Sequence, residues 1–216
     1  MSAPHVLPRG RHAAPRHVVW QSQRGRLLAA MAAAVAEKGY ARVAVADVVE
    51  RAGVSRKTFY EQFANKEACF LAAYDAAVEL VLRAIDEALG DDAPDPMAAA
   101  AVGTRAYLAT LAANPDFART FLVEVLAAGA EARERRAAVH ERFAARLAAI
   151  HAAMRREFDD LPKPPPYVFR ACVGAVDELV THHLLTRGTG SLPELEGPIL
   201  EIERALLGAH ARGQTP

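Results

Sequence analysis

Two short apolar-periodic segments on either side of Gly53 constrain this chain more than any other feature. The stretch from Val45 to Lys66 reads V-A-D-V-V-E-R-A-G-V-S-R-K-T-F-Y-E-Q-F-A-N-K. Val45, Val48, Val49 and Ala52 form one stripe at the spacing of about 3.6 residues that a helix presents to a core. Gly53 supplies a turn where positive φ is needed, a conformation other residues enter only with strain. Ser55 follows as an N-cap, its hydroxyl placed to accept from amides that the next helix leaves unpaired. This is the sequence form of a helix-turn-helix, the motif whose second helix enters the DNA major groove.

The second helix can be read position by position. At about 100° per residue, Phe59 and Phe63 share a face and anchor the helix to its neighbours. Lys57, Thr58 and Glu61 point the other way, with Tyr60 on the flank and Arg56 at the N-terminal end. Lys, Thr and Tyr on one exposed face can bond phosphate oxygens and reach base edges. Asn65 is placed to cap the next helix, and Lys66 lies in its first turn, where a helix N-terminus favours phosphate. Each of these cations taken alone is an ordinary solvated charge. Joined to the turn, the cap and the aromatic anchors, they point to DNA.

From about Arg24 to Asp75 the chain resembles the DNA-binding domain of the tetracycline-repressor (TetR) family. The resemblance is carried by Gly39-Tyr40, Asp47-Val48, Ala52-Gly53-Val54-Ser55, Thr58-Phe59-Tyr60, Phe63 and Asn65-Lys66-Glu67. It implies that Thr58 and Tyr60 contact DNA and that Lys66 clamps a phosphate. Family members usually carry Thr or Ser just before the first helix of the motif. This chain has Val43 and Ala44 there, and Arg42 becomes the candidate backbone contact.

Charge is distributed to match. The whole chain is formally neutral, yet residues 1–66 hold 11 Lys and Arg against 4 Asp and Glu. The other 150 residues hold 15 against 22, so the basic charge sits where the motif sits. Residues 1–22 carry Arg9, Arg11, Arg16, three histidines, three prolines and no acid, which predicts a disordered basic arm. Two roles are open for it: tracking a narrow minor groove, or adding non-specific affinity only. No apolar segment follows the basic residues, so the arm does not read as a secretory signal.

Abundant alanine, scarce β-branched runs and no sustained period-two alternation predict an all-α protein of about nine helices. The expected organisation is the arm (1–22), a three-helix DNA-binding domain (23–68) and a larger helical domain (69–216). The first helix runs from about Arg24 to Lys38, and a long fourth helix from about Lys66 to Leu89. Asp95-Pro96 and Asn114-Pro115 each read as a cap followed by an N1 proline, opening helices to about Ala113 and Gly129. A helix from Ala130 to about Phe158 precedes a stiff Pro-rich connector at 161–166. Two last helices cover about Tyr167–Arg187 and Leu192–Ala211, the second opened by a Ser191/Glu194 capping box. The order matches the layout of the TetR family, which implies a ligand-binding and dimerising second half.

For the dimer interface the stripe of Ala171, Ala175, Leu179 and His182, with Ile199, Ile202 and Leu206, is expected. Arg105, Tyr107, Phe117, Phe121, Glu124, Phe143, Leu147, His151 and Asp177 are candidate ligand-pocket residues. They suit an apolar or aromatic molecule, with Arg105 available for a carboxylate, although Phe and Leu at such spacing are often simply core.

Other chemistries find no support. There is no Gly-rich phosphate loop, nucleophile elbow or metalloprotease helix signature, so no catalytic residue is named and the chain is not read as an enzyme. His182 and His183 diverge by about 100° on a helix, and His140 and His151 lie about three turns apart. No metal site or cofactor is expected. Cys69 and Cys172 lack C-x-x-C spacing and suit a reducing, cytoplasmic setting, and no apolar run approaches a membrane span. The reading is a homodimeric repressor on a palindromic double-stranded operator, released by a small-molecule inducer. A DNA-binding activator or a ligand-independent regulator is the alternative, which the lack of a sizeable cavity would favour; a helical enzyme or scaffold comes third.

Overall fold

The computed structural model describes residues 16–90 and 96–208. Among them are nine α-helices and no strand: α1 (Arg16–Lys38), α2 (Val45–Ala52), α3 (Arg56–Gln62), α4 (Lys66–Leu89), α5 (Pro96–Ala113), α6 (Pro115–Leu122), α7 (Ala130–Glu157), α8 (Pro166–Arg187) and α9 (Glu196–Leu207). Single 3-10 turns occupy Tyr40–Arg42, Glu124–Ala127 and Leu192–Leu195. The chain divides into two compact units between Ala76 and Ala77, and α4 contributes residues to both.

In the first unit α1 packs along α2, and α2 against α3. Leu27, Met31, Ala34 and Val35 of α1, Val48 of α2 and Phe59 of α3 are all completely buried, and Phe63, Cys69, Phe70 and Tyr74 complete the core. Removing a side chain such as Phe59 from water stabilises by about 1.5–3 kcal/mol. That matters for α3, whose seven residues are too few to hold a helix unaided.

Helix ends in this unit are closed by specific bonds. Gly53 sits at φ 63°, ψ 41°, the left-handed cap that ends α2. The Ser55 hydroxyl accepts from the Thr58 amide at 3.0 Å, and Asn65 Oδ1 accepts from the Ala68 amide at 2.8 Å. At the start of α2, where no hydroxyl is available, the Asp47 carboxylate reaches back and accepts from the Ala44 amide at 2.8 Å. Its other oxygen takes a 2.7 Å bond from Lys38, tying α2 to the end of α1. Both contacts hold the Asp47 carboxyl below its usual range.

The second unit packs α5, α7, α8 and α9 around Leu108, Leu111, Leu122, Val125, Val180, Leu192 and Ile199. Within it, Arg146 grips the Asp86 carboxylate with two bonds of 2.6 and 3.0 Å, and Arg142 reaches Glu79 at 2.9 Å. This fork and this single bond fasten the second half of α4 to α7.

Several boundaries differ from the sequence expectation. α1 starts at Arg16, so 16–22 are helical; the last proline of the arm is Pro15, and no breaker follows it before Gly25. Residues 1–15, the rest of the expected basic arm (1–22) with its two open roles, lie outside the described residues, as do Asp95 and the expected end of the last helix at Ala211. The helix opened by Pro115 stops at Leu122 and tightens into a 3-10 turn. Asn114 does not cap it: its side-chain amide donates back to the Thr110 carbonyl at 2.8 Å, closing α5. The Ser191/Glu194 capping box does not form either, because His183 Nε2 pairs with the Ser191 hydroxyl at 2.8 Å.

A Cβ placed on Gly53 meets no atom within 4 Å, so only its backbone conformation resists substitution. Gly53→Ala should therefore destabilise by about 1–2 kcal/mol, and Gly53→Asn by less, since Asn tolerates the left-handed region. Urea unfolding midpoints of the three proteins check the order.

Candidate nucleic-acid interface and ligand cavity

The reading helix presents a bare polar face. Lys57 is exposed, its ammonium 3.9 Å from Glu61, and Tyr60 is 55% exposed although it is a large aromatic side chain. Arg56 is exposed at the entrance to α3. Tyr60 is not loose: its ring stands edge-on to buried Phe59 at 5.3 Å between centroids. Thr58 is half-buried, and its hydroxyl lies 2.9 Å from that of Ser55, so part of its capacity serves the cap.

Lys66 and Arg42 are held from the side. The Lys66 ammonium donates to the Tyr40 carbonyl at 3.0 Å and sits 4.3 Å over the Tyr40 ring. One of its three donors is thus used and the charge is fixed at the start of α4. Arg42 is exposed and donates from Nε to the Lys38 carbonyl at 2.5 Å, which leaves its terminal nitrogens outward. The structure adds two supports that the sequence reading missed. Tyr40 forms the platform under Lys66, and Arg24 stacks 4.6 Å over Phe63.

The second unit contains a cavity of about 140 Å³ walled by α4, α5, α6, α7, α8 and α9. Tyr107, Phe121, Phe143, Leu147 and Asp177 of the candidate residues line it. A neighbouring space of about 60 Å³ includes Leu147 and His151, whose Nε2 pairs with the Leu207 carbonyl at 3.1 Å. Phe117 borders only a third, small gap of about 10 Å³. Arg105 and Glu124 line none of these spaces. Arg105 is on the outside, forked onto Glu196 at 2.6 and 3.0 Å, and Glu124 is buried 3.6 Å from Arg119.

Charge inside the cavity is uneven. Asp177 is bracketed by Arg136 and by His140 at 3.4 Å, while Arg146 is taken up by Asp86. Glu203, which the sequence reading passed over, lines both main spaces and has no hydrogen bond or ion pair among the described residues. Burial among apolar neighbours pushes its carboxyl up to about 7, with Arg204 opposing weakly. Its signal was the spacing Ile199, Glu203, Leu207, an acid set into an apolar stripe. Cys172 also lines the cavity; it and Cys69 are free and buried, and burial pushes both thiols up to about 12.

Of the stripe expected to dimerise, Ala171 and His182 are exposed, Ala175, Leu179 and Ile202 half-buried, and Leu206 41% exposed. Ile199 does not belong with them. It is 1% exposed and lines the cavity, because the 199/203/207 face of α9 turns inward. Among the described residues no cluster of side chains suits a metal ion, and no helix is long and apolar enough to cross a membrane.

The Glu203 carboxyl carries a pH signature. A carboxyl raised from 4.5 to about 7 in the folded chain binds more protons folded than unfolded, so its contribution to stability falls as pH rises through that window. Glu203→Gln should thus melt higher than the parent above about pH 7 and lose that advantage towards about pH 4.5. Thermal melts of both proteins across this range give the comparison.

Residues 27–73 match the family model for bacterial regulatory proteins of the tetR family. The HTH-type transcriptional regulator EthR of Mycolicibacterium smegmatis is 28% identical over 148 residues, spanning 68% of this chain and 67% of that protein. Two solved structures share the fold over nearly their full lengths. The transcriptional regulator FadR of Bacillus subtilis, crystallised with stearoyl-CoA, has a TM-score of 0.73 at 20% identity, covering 87% of this chain and 99% of that one. SmeT, the repressor of a multidrug efflux pump of Stenotrophomonas maltophilia, has a TM-score of 0.69 at 19% identity, covering 91% and 97%. With the motif in place and its polar face bare, residues 27–73 form a helix-turn-helix DNA-binding domain of the tetR family of bacterial regulatory proteins.

Proposed function

We propose that the protein is a homodimeric repressor that binds a palindromic operator and leaves it when a small apolar or aromatic ligand enters the second unit. The observation that carries this reading is the pairing of a bare reading face with an apolar-walled cavity in the same chain. Arg56, Lys57, Thr58 and Tyr60 read or grip the groove from α3, while Arg42 and Lys66 hold phosphates beside it.

Dimerisation has a mechanical reason. One seven-residue helix spans only a few base pairs, and a two-fold axis doubles the reading into a palindrome. The outward faces of α8 and α9 fit this role: on α8 Tyr167 is 70% exposed and Leu185 56%, with small Ala171 one turn after Tyr167, and on α9 Leu206 is 41% exposed. Apolar side chains gathered on one exposed face mark an interaction surface.

The link between ligand and DNA runs along α4. Ile85 and Leu89 belong to the cavity wall, and Lys66 stands at the other end of the same helix. A ligand that fits best with α4 displaced binds the DNA-incompetent state more tightly, and that difference in affinity drives release. FadR with its acyl-CoA and SmeT as an efflux repressor are consistent precedents for the fold.

Tyr60→Ala and Lys66→Ala should weaken binding to all sequences alike, and Lys66→Ala should lower the salt slope by about 1. Lys57→Ala and Thr58→Ala should also shift sequence preference, costing about 1–3 kcal/mol on the best site. Fluorescence anisotropy on specific and scrambled duplexes distinguishes these, and four variants that all bind like the parent would remove the site assignment. On the far side, Ala171→Arg should turn the dimer into a monomer by light scattering and lower operator affinity about a hundredfold or more, since one half-site is lost.

A further inference from the structure

The cavity is apolar except for one unanswered charge, and that charge is negative. Asp177 has Arg136 and His140 beside it, and Arg146 has both its terminal nitrogens on Asp86. Of the charged groups lining the larger space, Glu203 alone has no hydrogen bond or ion pair; it stands at the wall the two spaces share with Ala100, Leu147 and Ile150. An anionic ligand in the larger space would meet this carboxylate with Arg146 already engaged on Asp86, and Arg204 borders only the smaller space. A cation would complete it.

We propose that the cavity takes an organic cation, with an apolar ring in the larger space and a protonated nitrogen against the Glu203 carboxylate. This rests on the reading of the second unit as a ligand-binding one. It specifies what that reading left open, and it reverses the carboxylate-holding role first considered for Arg105. Size agrees with a ring: a dry cavity of about 150 Å³ admits benzene, and this one is about 140 Å³. The second space, about 60 Å³, leaves room for a short chain past Glu203. Paired with a cation away from water, the carboxylate gains a charge-assisted bond that a neutral ligand cannot supply.

Proton competition follows from the same geometry. The free carboxyl is half protonated near pH 7, and only its ionised form pairs with a cation. The other titratable groups on the walls are accounted for. Burial pushes the Cys172 thiol on α8 up to about 12, which keeps it neutral in this range, and Tyr107 on α5 stands edge-on to the Phe143 ring. On α7, Arg146 stays charged and His140 is tied to Asp177, while His151 is tied to the Leu207 carbonyl. Arg204, beside Glu203 on α9, is exposed and borders the smaller space. α4 brings only Ile85 and Leu89 to the wall.

Three probes of one shape decide the matter: 4-phenylbutylamine, 4-phenylbutanol and 4-phenylbutyrate, titrated calorimetrically into the full chain at about pH 8. The amine should bind about tenfold more tightly than the other two, and Glu203→Gln should bring all three within about twofold. In the parent the amine should weaken about tenfold between pH 8 and pH 6, and in Glu203→Gln it should not, which separates Glu203 from the histidines. Equal or tighter binding of the alcohol or the carboxylate, or an amine preference that survives Glu203→Gln, overturns the proposal and leaves the ligand-binding reading standing. Binding of none of the three overturns the proposal and counts against that reading as well. Should Glu203→Gln fail to fold by circular dichroism, the ranking and pH dependence in the parent decide alone.

Discussion

Everything this protein offers to DNA depends on the burial of Phe59. A helix of seven residues does not pay for its own nucleation, so α3 exists because its aromatic face is driven into the core under α1 and α2. Phe59 is inaccessible to water, and Phe63, two residues from Asn65, closes the same face from below Arg24. Once that face is fixed, the others follow at about 100° per residue: Lys57 and Tyr60 must point outward because Phe59 points in. The cap from Ser55 and the left-handed turn at Gly53 set where the helix begins. Burial supplies the energy, and these two residues supply the register.

The cavity obeys the opposite logic. In the first unit, two half-buried cations are matched: Lys38 with Asp47, and Lys66 with the Tyr40 ring and carbonyl. Around the cavity the same rule holds for Asp177 and Arg146 and fails at Glu203. A carboxyl kept in an apolar wall without a partner costs stability whenever it ionises. Such an expense is understandable where a ligand completes the pair, and this is the physical content of the proposal that the ligand is cationic. Under the proposed function, regulation would amount to a choice between two states of one helix, α4, which carries Ile85 and Leu89 towards one end and Lys66 at the other.

The motif was legible in the sequence because its signals are local. A glycine that needs positive φ, a serine cap and an aromatic pair four residues apart can be read without knowing what they pack against. Long helices bounded by proline or glycine were legible for the same reason, and α4 falls at the expected ends. What was not legible depends on neighbours distant in sequence. Asp47 replaces the missing hydroxyl cap only because Lys38 holds it there. Ser191 looks like a cap, but His183 claims its hydroxyl; Arg105 looks like a ligand anchor, but Glu196 lies 91 residues on and folds beside it. Ile199 was placed on the outer stripe of α9, and the inward face is set instead by Ile199, Glu203 and Leu207 together.

The most direct test of a paired reading helix is a footprint of the purified protein on the intergenic DNA flanking its own gene, at low and near-physiological salt. The account predicts a protected palindrome whose half-sites lie about one helical turn, 34–36 Å, or a multiple of it apart, persisting at the higher salt. Diffuse protection that salt erases, or none at low salt, would contradict it.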